Sequence, residues 1–251
     1  MTPEERRQEI LKLLDKKKFI TVDDLASLLF TSKPTIRRDL LILEEGGFIR
    51  RTKGGAQAIV SSLVEWPFTM RNAKNNEQKA YIAEIAKDFL NDHANIFIDS
   101  SSTCLHFAKE VAEFDNITVL TNGIKTAHFL SEESNNNVSV TCGKIYKKRN
   151  SINGPDACDY VSKHRANIAF MSCRGISSTN TTEFTMEEAM IKKYYNNYAD
   201  QTVMLIDSSK FDETFFYELL PFDAVDFIIT DKKPGIDYLE AAKKSDMEFL
   251  Y

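Results

Sequence analysis

Apolar positions recur at two different periods along the chain, and the change of period divides it. Ile10, Leu13 and Leu14 fall at helical spacing after an early proline, which predicts a first helix over 3–17. Thr21 followed by Asp24 has the form of a capping box with aspartate in place of glutamate, and opens a second helix carrying Leu25, Leu28 and Leu29. Ser32 is the next N-cap, with Pro34 in the first turn, where its missing N–H costs nothing. Ile36, Leu40 and Leu43 then recur at i, i+4 and i+7 and face inward. That leaves Lys33, Thr35, Arg37 and Arg38 on outward or N-terminal positions. Gly46-Gly47 ends this third helix. FIRRTKGGA follows, with a strand from Phe48 to Thr52 and a hairpin turn at Gly54-Gly55.

After a poorly patterned stretch containing Trp66-Pro67, the period alternates. Ile82, Ile85, Ala86, Phe89 and Leu90 mark a helix, and helices follow at 124–130 and 186–198. Apolar strands are expected at 95–99, 117–122, 138–143, 167–173, 202–207 and 226–230. Strand–helix alternation of this kind predicts an α/β fold, a mainly parallel sheet with helices on both faces. The expected organisation is a head at 1–57, a linker at 58–76 and a larger α/β domain at 77–251. The closing SDMEFLY is apolar enough to dock on the sheet edge or on a second subunit.

Composition narrows the class. A hydrophobic content of 43% and a charged content of 27% are ordinary for globular protein. No apolar run approaches the roughly 18 residues that span a bilayer, and the N-terminus has no signal-peptide core; a cytoplasmic address is expected. Cys104, Cys142, Cys158 and Cys173 are widely separated, which excludes a disulfide framework or a zinc ribbon. No metal and no cofactor is expected. Residues 1–57 hold 12 basic and 9 acidic residues, against 20 and 28 in the remainder. A basic head on an acidic body suits a protein that touches phosphate with one end only.

Two short helices joined by a tight turn, the second opening on a hydroxyl cap and carrying Arg37-Arg38, have the layout of a helix-turn-helix. There the second helix enters the major groove of DNA. Ser32, Lys33, Thr35, Arg37 and Arg38 are the candidate base and phosphate contacts. The basic hairpin is a wing whose Arg50, Arg51 and Lys53 reach flanking phosphate or the minor groove. The runs ERRQEILKLL, TVDDLASLL and SKPTIRRDLLILEEGGFIRRTKGGA closely resemble the DeoR family of bacterial transcriptional regulators. Lys53 stands where that family has histidine. Phe30 occupies the turn position where it favours asparagine or glycine; a phenylalanine at positive φ would be strained, so a reshaped turn is expected there.

In parallel sheets ligands bind outside the strand C-termini, and the polar residues cluster there. Asp99-Ser100-Ser101-Ser102-Thr103 follows one strand and opens a helix, where hydroxyls and backbone N–H groups make an anion site. Thr121-Asn122-Gly123, Cys173-Arg174-Gly175 and Asp207-Ser208-Ser209-Lys210 repeat the arrangement. Such convergence fits a phosphorylated, hydroxylated small molecule. The DeoR resemblance extends over about 71–231 through IFIDSSST, VLTN, Gly143, NGPDA, AFMSCRGI, EEAMIKK and DSSKF. It implies a domain similar to the ribose-phosphate isomerase and CoA-transferase folds that senses a sugar phosphate. Carried over by motif, Asp99, Ser102, Thr103, Thr121, Asn122, Gly143, Gly154, Arg174, Gly175, Lys192 and Lys210 line or shape the pocket. Ser101 belongs with them, standing where the family has glycine, and is expected to narrow or re-aim the phosphate approach. Glu183 adds a carboxylate that opposes a phosphate unless protonated or ion-paired.

The reading is a DNA-binding transcriptional regulator, a repressor of carbohydrate-metabolism genes modulated by a phosphorylated sugar. It acts on a double-stranded operator as a homodimer or homotetramer. One alternative is a sugar-phosphate isomerase or transferase with an accessory head, in which Asp99, Glu183, Glu188 and Lys210 serve as acid, base and phosphate partner. With no sequence-adjacent nucleophile–base pair, an enzyme is not expected. A third is a DNA-binding protein whose body only oligomerises.

Overall fold

A computed structural model describes residues 1–59 and 65–251 of the 251-residue chain. The chain divides into two compact units, Met1–Trp66 and Pro67–Tyr251. The stretch expected as linker, 58–76, falls partly on residues 60–64, outside the described residues; Phe68–Ala73 is helical, and a break at Lys74 and Asn75 precedes the next helix at Asn76.

The first unit holds α1 (Pro3–Lys17), β1 (Phe19–Thr21), α2 (Val22–Leu28), α3 (Lys33–Glu45), β2 (Ile49–Thr52) and β3 (Gly55–Ala58). Thr2 and Glu5 close a capping box on α1, Thr21 caps α2, and Ser32 caps α3. Ile10, Leu14, Leu25, Ile36, Leu40 and Leu43 form the buried centre. The wing is three-stranded, because β1 pairs antiparallel with β3. Three residues carry too little periodicity to announce a strand. Gly55 makes the pairing possible, since a Cβ there would lie 2.4 Å from the Ile20 carbonyl oxygen. Asp39 is buried in the middle of α3 and ion-paired to Arg6 and Arg7 of α1. The turn between α2 and α3 is not reshaped around Phe30, which takes the left-handed conformation at φ 49 with its side chain 96% exposed, so that the ring meets no neighbour that would oppose it.

The second unit begins with α4 (Phe68–Ala73) and α5 (Asn76–Ala86). It continues through β4 (Asn95–Ile98), α6 (Ser102–Val111), β5 (Thr118–Thr121), α7 (Ile124–Glu133) and β6 (Asn137–Val140). Next come β7 (Lys144–Tyr146), β8 (Ser151–Asn153), α8 (Pro155–Ser162), β9 (Ala166–Met171), β10 (Gly175–Ile176) and β11 (Asn180–Glu183). The last elements are α9 (Met186–Asn197), β12 (Ala199–Leu205), β13 (Tyr217–Pro221), β14 (Phe227–Ile229), α10 (Ile236–Lys244) and β15 (Glu248–Leu250).

Seven strands form one parallel sheet in the order β15-β14-β12-β9-β4-β5-β6. Alternate side chains of β4 feed different cores: Ile96 and Ile98 join Phe107 and Val203 on one face, Phe97 joins Tyr195 and Met204 on the other. The SDMEFLY segment supplies β15, an edge strand of this sheet. A three-stranded sheet, β10-β11-β13, and the hairpin β7-β8 are antiparallel additions.

Candidate functional site

In the first unit, Ser32 is spent on capping α3, where its Oγ accepts the Thr35 N–H. Lys33 pairs with Asp23 at 2.9 Å and Arg51 with Glu44 at 3.6 Å. Arg37, Arg38, Arg50 and Lys53 are exposed and make no ion pair among the described residues. Thr35 is half-buried behind the Ser32 hydroxyl, 2.9 Å away. The recognition helix and wing thus hold cations whose charge is not consumed internally.

In the second unit, chain order runs from β4 through β5 to β6 on one side and from β9 through β12, β14 and β15 on the other. The carboxyl ends of β4 and β9 therefore flank a topological switch point, where open parallel sheets bind ligands. Asp99, directly after β4, is fully buried there. Its Oδ1 accepts the Ser101 N–H at 2.7 Å, and its Oδ2 accepts the Ser172 N–H after β9 at 2.9 Å. Lys192 of α9 comes within 3.2 Å of Asp99 Oδ2, donates to the Ser172 carbonyl at 2.8 Å, and forms a close ion pair with Glu183. An ammonium has three donors, so Lys192 has none left. Burial disfavours its charge, but Glu183, Asp99 and Glu188 outweigh that and raise its pKa above the usual lysine range. Burial likewise pushes Asp99 up, yet Lys192 and the bonds from Ser101 and Ser172 hold its carboxyl below the ordinary range.

The ion-paired condition set for Glu183 is met, since Lys192 neutralises it. Ser101 has a structural part of its own. It is the N-cap of α6 at φ −69, with its Oγ accepting the Cys104 N–H at 3.1 Å, so the backbone needs no glycine there.

Lys210 reaches the same centre from the loop after β12. Its Nζ donates to Ser172 Oγ at 2.6 Å and lies 3.6 Å from Asp207 Oδ2, an ion pair too long to be a hydrogen bond, so at least one of its three donors is left among the described residues. Burial raises the Asp207 pKa, but Lys210, Ser209, Lys79 and Asn75 more than offset it. Ser102 and Thr103 begin α6; Thr103 Oγ1 is buried with no hydrogen-bond partner among the described residues. The Arg174 guanidinium lies 5.5 Å over the Phe215 ring, and Gly175 follows it in β10.

A second polar network adjoins the first. Asn122 donates to Asn153 Oδ1 at 2.7 Å, and Asn153 donates to Glu188 Oε1 at 2.8 Å. Ser151 Oγ donates to the same carboxylate oxygen at 2.9 Å. Thr121 Oγ1 closes the turn by accepting the Gly123 N–H at 3.0 Å. Gly143 and Gly154 hold positive φ at 130 and 116, before and after the β7-β8 hairpin.

Sequence reasoning missed Asn75, Lys79 and Ser172 as members of this centre, and gave Glu188 a place only in the enzyme alternative. Lys79 did carry a signal: it shares the buried stripe of α5 with Ile82, Ala83 and Ala86. A lysine on an apolar stripe has a partner to find.

Among the described residues no helix is long and apolar enough to cross a membrane. Residues 6–62 match the DeoR-like helix-turn-helix domain, and residues 74–232 match the DeoR C-terminal sensor domain. The HTH-type transcriptional regulator GolR of Listeria innocua is 32% identical, over 93% of this chain and 92% of its own. The HTH-type transcriptional repressors CsqR of Escherichia coli and GlcR of Bacillus subtilis are 29% and 30% identical, each over 100% of this chain and 96% of its own. Among solved structures, ribose 5-phosphate isomerase A of Methanocaldococcus jannaschii is similar over 55% of each chain, with 15% identity and a TM-score of 0.41. A helix-turn-helix match over the first unit and a sensor-domain match over most of the second make this chain a member of the DeoR family of DNA-binding transcriptional regulators.

Proposed function

We propose that the protein is a transcriptional repressor of carbohydrate-metabolism genes, whose operator affinity falls when a phosphorylated sugar occupies the strand ends of the larger unit. It works in the cytoplasm as a homodimer or homotetramer, since paired heads multiply the modest affinity of one. Arg37 and Arg38 enter the major groove, Ser32, Lys33 and Thr35 position the helix, and Arg50, Arg51 and Lys53 hold flanking phosphate. The repressor names of the E. coli and B. subtilis relatives support the sign of regulation.

The observation that carries the effector half is the convergence of three strand-end loops, those after β4, β9 and β12, on one charge-balanced centre. Lys192 cancels the carboxylate that would oppose an anion, Lys210 keeps a donor, and Thr103 presents a buried hydroxyl with no hydrogen-bond partner among the described residues. Helix α6 opens beside them, with N-terminal N–H groups that favour negative charge. Lys192 acts in this reading as scaffold, while Lys210 and the first turn of α6 meet the phosphate.

The test has two arms. A duplex selected from random sequence by the full-length protein should lose about 1–3 kcal/mol of affinity on Arg37→Ala or Arg38→Ala if the side chain reads a base. Unchanged affinity in both variants removes these side chains from base reading. In the second arm, a panel of pentose and hexose phosphates is screened for thermal stabilisation, with inorganic phosphate as control. A ligand at 100 times its dissociation constant adds about 2.7 kcal/mol. The expected hit also weakens duplex binding, and Lys210→Ala abolishes both effects. Stabilisation by no sugar phosphate would sink the effector assignment.

A further inference from the structure

The segment that opens the second unit is held by the same loop that carries Lys210. Asn75, between α4 and α5, sits at φ 54. Its Nδ2 donates to Asp207 Oδ1 and to Ser209 Oγ, each at 3.0 Å. Asp207 in turn faces Lys210. Four residues on, the buried Lys79 ammonium donates to the carbonyl oxygens of Arg71 and Lys74. These are carbonyls at the C-terminal end of α4, where a helix leaves acceptors unsatisfied. Upstream, Phe68 is buried, its N–H donates to the Lys148 carbonyl at 2.8 Å, and Lys125 lies over its ring. One residue, Pro67, separates it from Trp66, whose ring stacks 5.9 Å from Phe48 in the first unit.

Building on the sugar-phosphate reading, we propose that Asn75 and Lys79 are the coupling residues of the regulator, through which the Asp207–Lys210 loop reports occupancy to the segment 67–75. An anion bound at Lys210 neutralises that ammonium. Asp207 is then no longer shared with Lys210 and is fully available to Asn75. Lys79 is relieved of repulsion from Lys210 and holds the end of α4 more firmly. Both changes act in one direction: occupancy stiffens the segment that leads to the DNA-binding unit. The present state of Lys79 suits this, because burial, then Lys210, Arg71 and Lys74, lower its pKa to about 7, with Asp207 acting against them. His106 of α6, itself lowered by burial and by Lys79, and Lys109 complete the charged surroundings.

The test uses the full chain with glucose 6-phosphate, fructose 6-phosphate and inorganic phosphate, each alone. Thermal stabilisation of the wild type is measured first. Amide exchange over 68–79 and affinity for the selected duplex follow, in wild type and in Asn75→Gly, which keeps the positive φ and removes the amide. A stabilising probe should slow exchange over 68–79 in the wild type. Its effect on duplex affinity, roughly 5–150-fold for allosteric coupling of ordinary size, should shrink to about twofold or less in Asn75→Gly. Thermal stabilisation of that variant by the probe should persist. A variant that keeps the wild-type exchange response and duplex response overturns the coupling role and leaves the sensor reading standing. Loss of stabilisation in the variant makes Asn75 a binding residue and overturns it also. If no sugar phosphate stabilises the wild type, the sensor reading falls and the coupling role falls with it.

Discussion

Replacing Lys192 by methionine tests whether the centre of the larger unit is held by charge balance. The side chain is similar in length and apolar, so the change removes the ammonium with little change of volume. Asp99 and Glu183 are both buried and would face each other without a cation. Asp99 keeps the Ser101 and Ser172 N–H bonds and Glu183 keeps the Phe184 N–H, so neither is stripped of all donors. Breaking a buried ion pair from one side costs about 3–5 kcal/mol. At about 2–4 °C per kcal/mol for a chain of this size, the melting temperature should fall by roughly 6–20 °C. The loss should also depend on pH in a definite direction. Two buried carboxylates without a cation take up a proton in the folded state, whereas unfolded carboxylates release theirs above about pH 4.3. The folded variant then binds more protons than the unfolded chain, so its stability falls as pH rises. Urea denaturation followed by circular dichroism at pH 5 and pH 8 measures both effects. Glu183→Gln in the Lys192→Met background should recover roughly 1–2 kcal/mol, because it removes the like-charge contact. A single variant within 1 kcal/mol of wild type, or one whose loss relative to wild type is larger at pH 5 than at pH 8, would refute the charge-balance account.

Other residues give sharper local tests. Gly175→Ala would place a Cβ 2.1 Å from the Glu213 carbonyl oxygen, so the 212–215 loop must move. The expected cost is about 1–3 kcal/mol or more, read as a lower denaturation midpoint. His106 has its pKa lowered to about 4, first by burial and then by Lys79 and Lys109. The unfolded chain therefore binds more protons than the folded one between about pH 4 and 6.5, and stability is lost as pH falls through that window. His106→Gln should flatten this part of the stability–pH curve; an unaltered slope would refute the assignment. Phe30→Asn relieves a left-handed phenylalanine and should stabilise the first unit by about 1 kcal/mol. Fluorescence of Trp66, the one tryptophan of the chain, reports that transition.

Periodicity located the long elements well. The first helix begins and ends where Pro3 and Lys17 placed it, and α9 ends one residue short of the expected Tyr198. What periodicity cannot show are strands of two to four residues such as β1, β7 and β10, whose existence depends on partners distant in the chain. Helices α8 and α10 were missed for a different reason: each is under ten residues and follows a glycine, so the turn signal masked the helix. The strand-end loops were legible because each apolar run closes on a cluster of hydroxyls and charges. The pairing inside them was not. Glu183 and Lys192 lie on different elements, β11 and α9, and only the fold turns an added carboxylate into half of an ion pair. Lys79 stands on an apolar stripe, yet its acceptors are backbone carbonyls, which no sequence pattern marks.

The buried aspartate of the recognition helix bears on how the head meets DNA. Asp39 directly follows Arg37-Arg38 in sequence and would, if exposed, put a negative charge into the field that a phosphate backbone meets. Arg6 and Arg7 quench it from within. The outward side of α3 at that level is then electropositive without offset, and attraction extends over the roughly 8–10 Å that physiological salt allows. If α3 enters the groove as proposed, Arg6 and Arg7 of α1 would contribute to long-range capture by DNA without touching it.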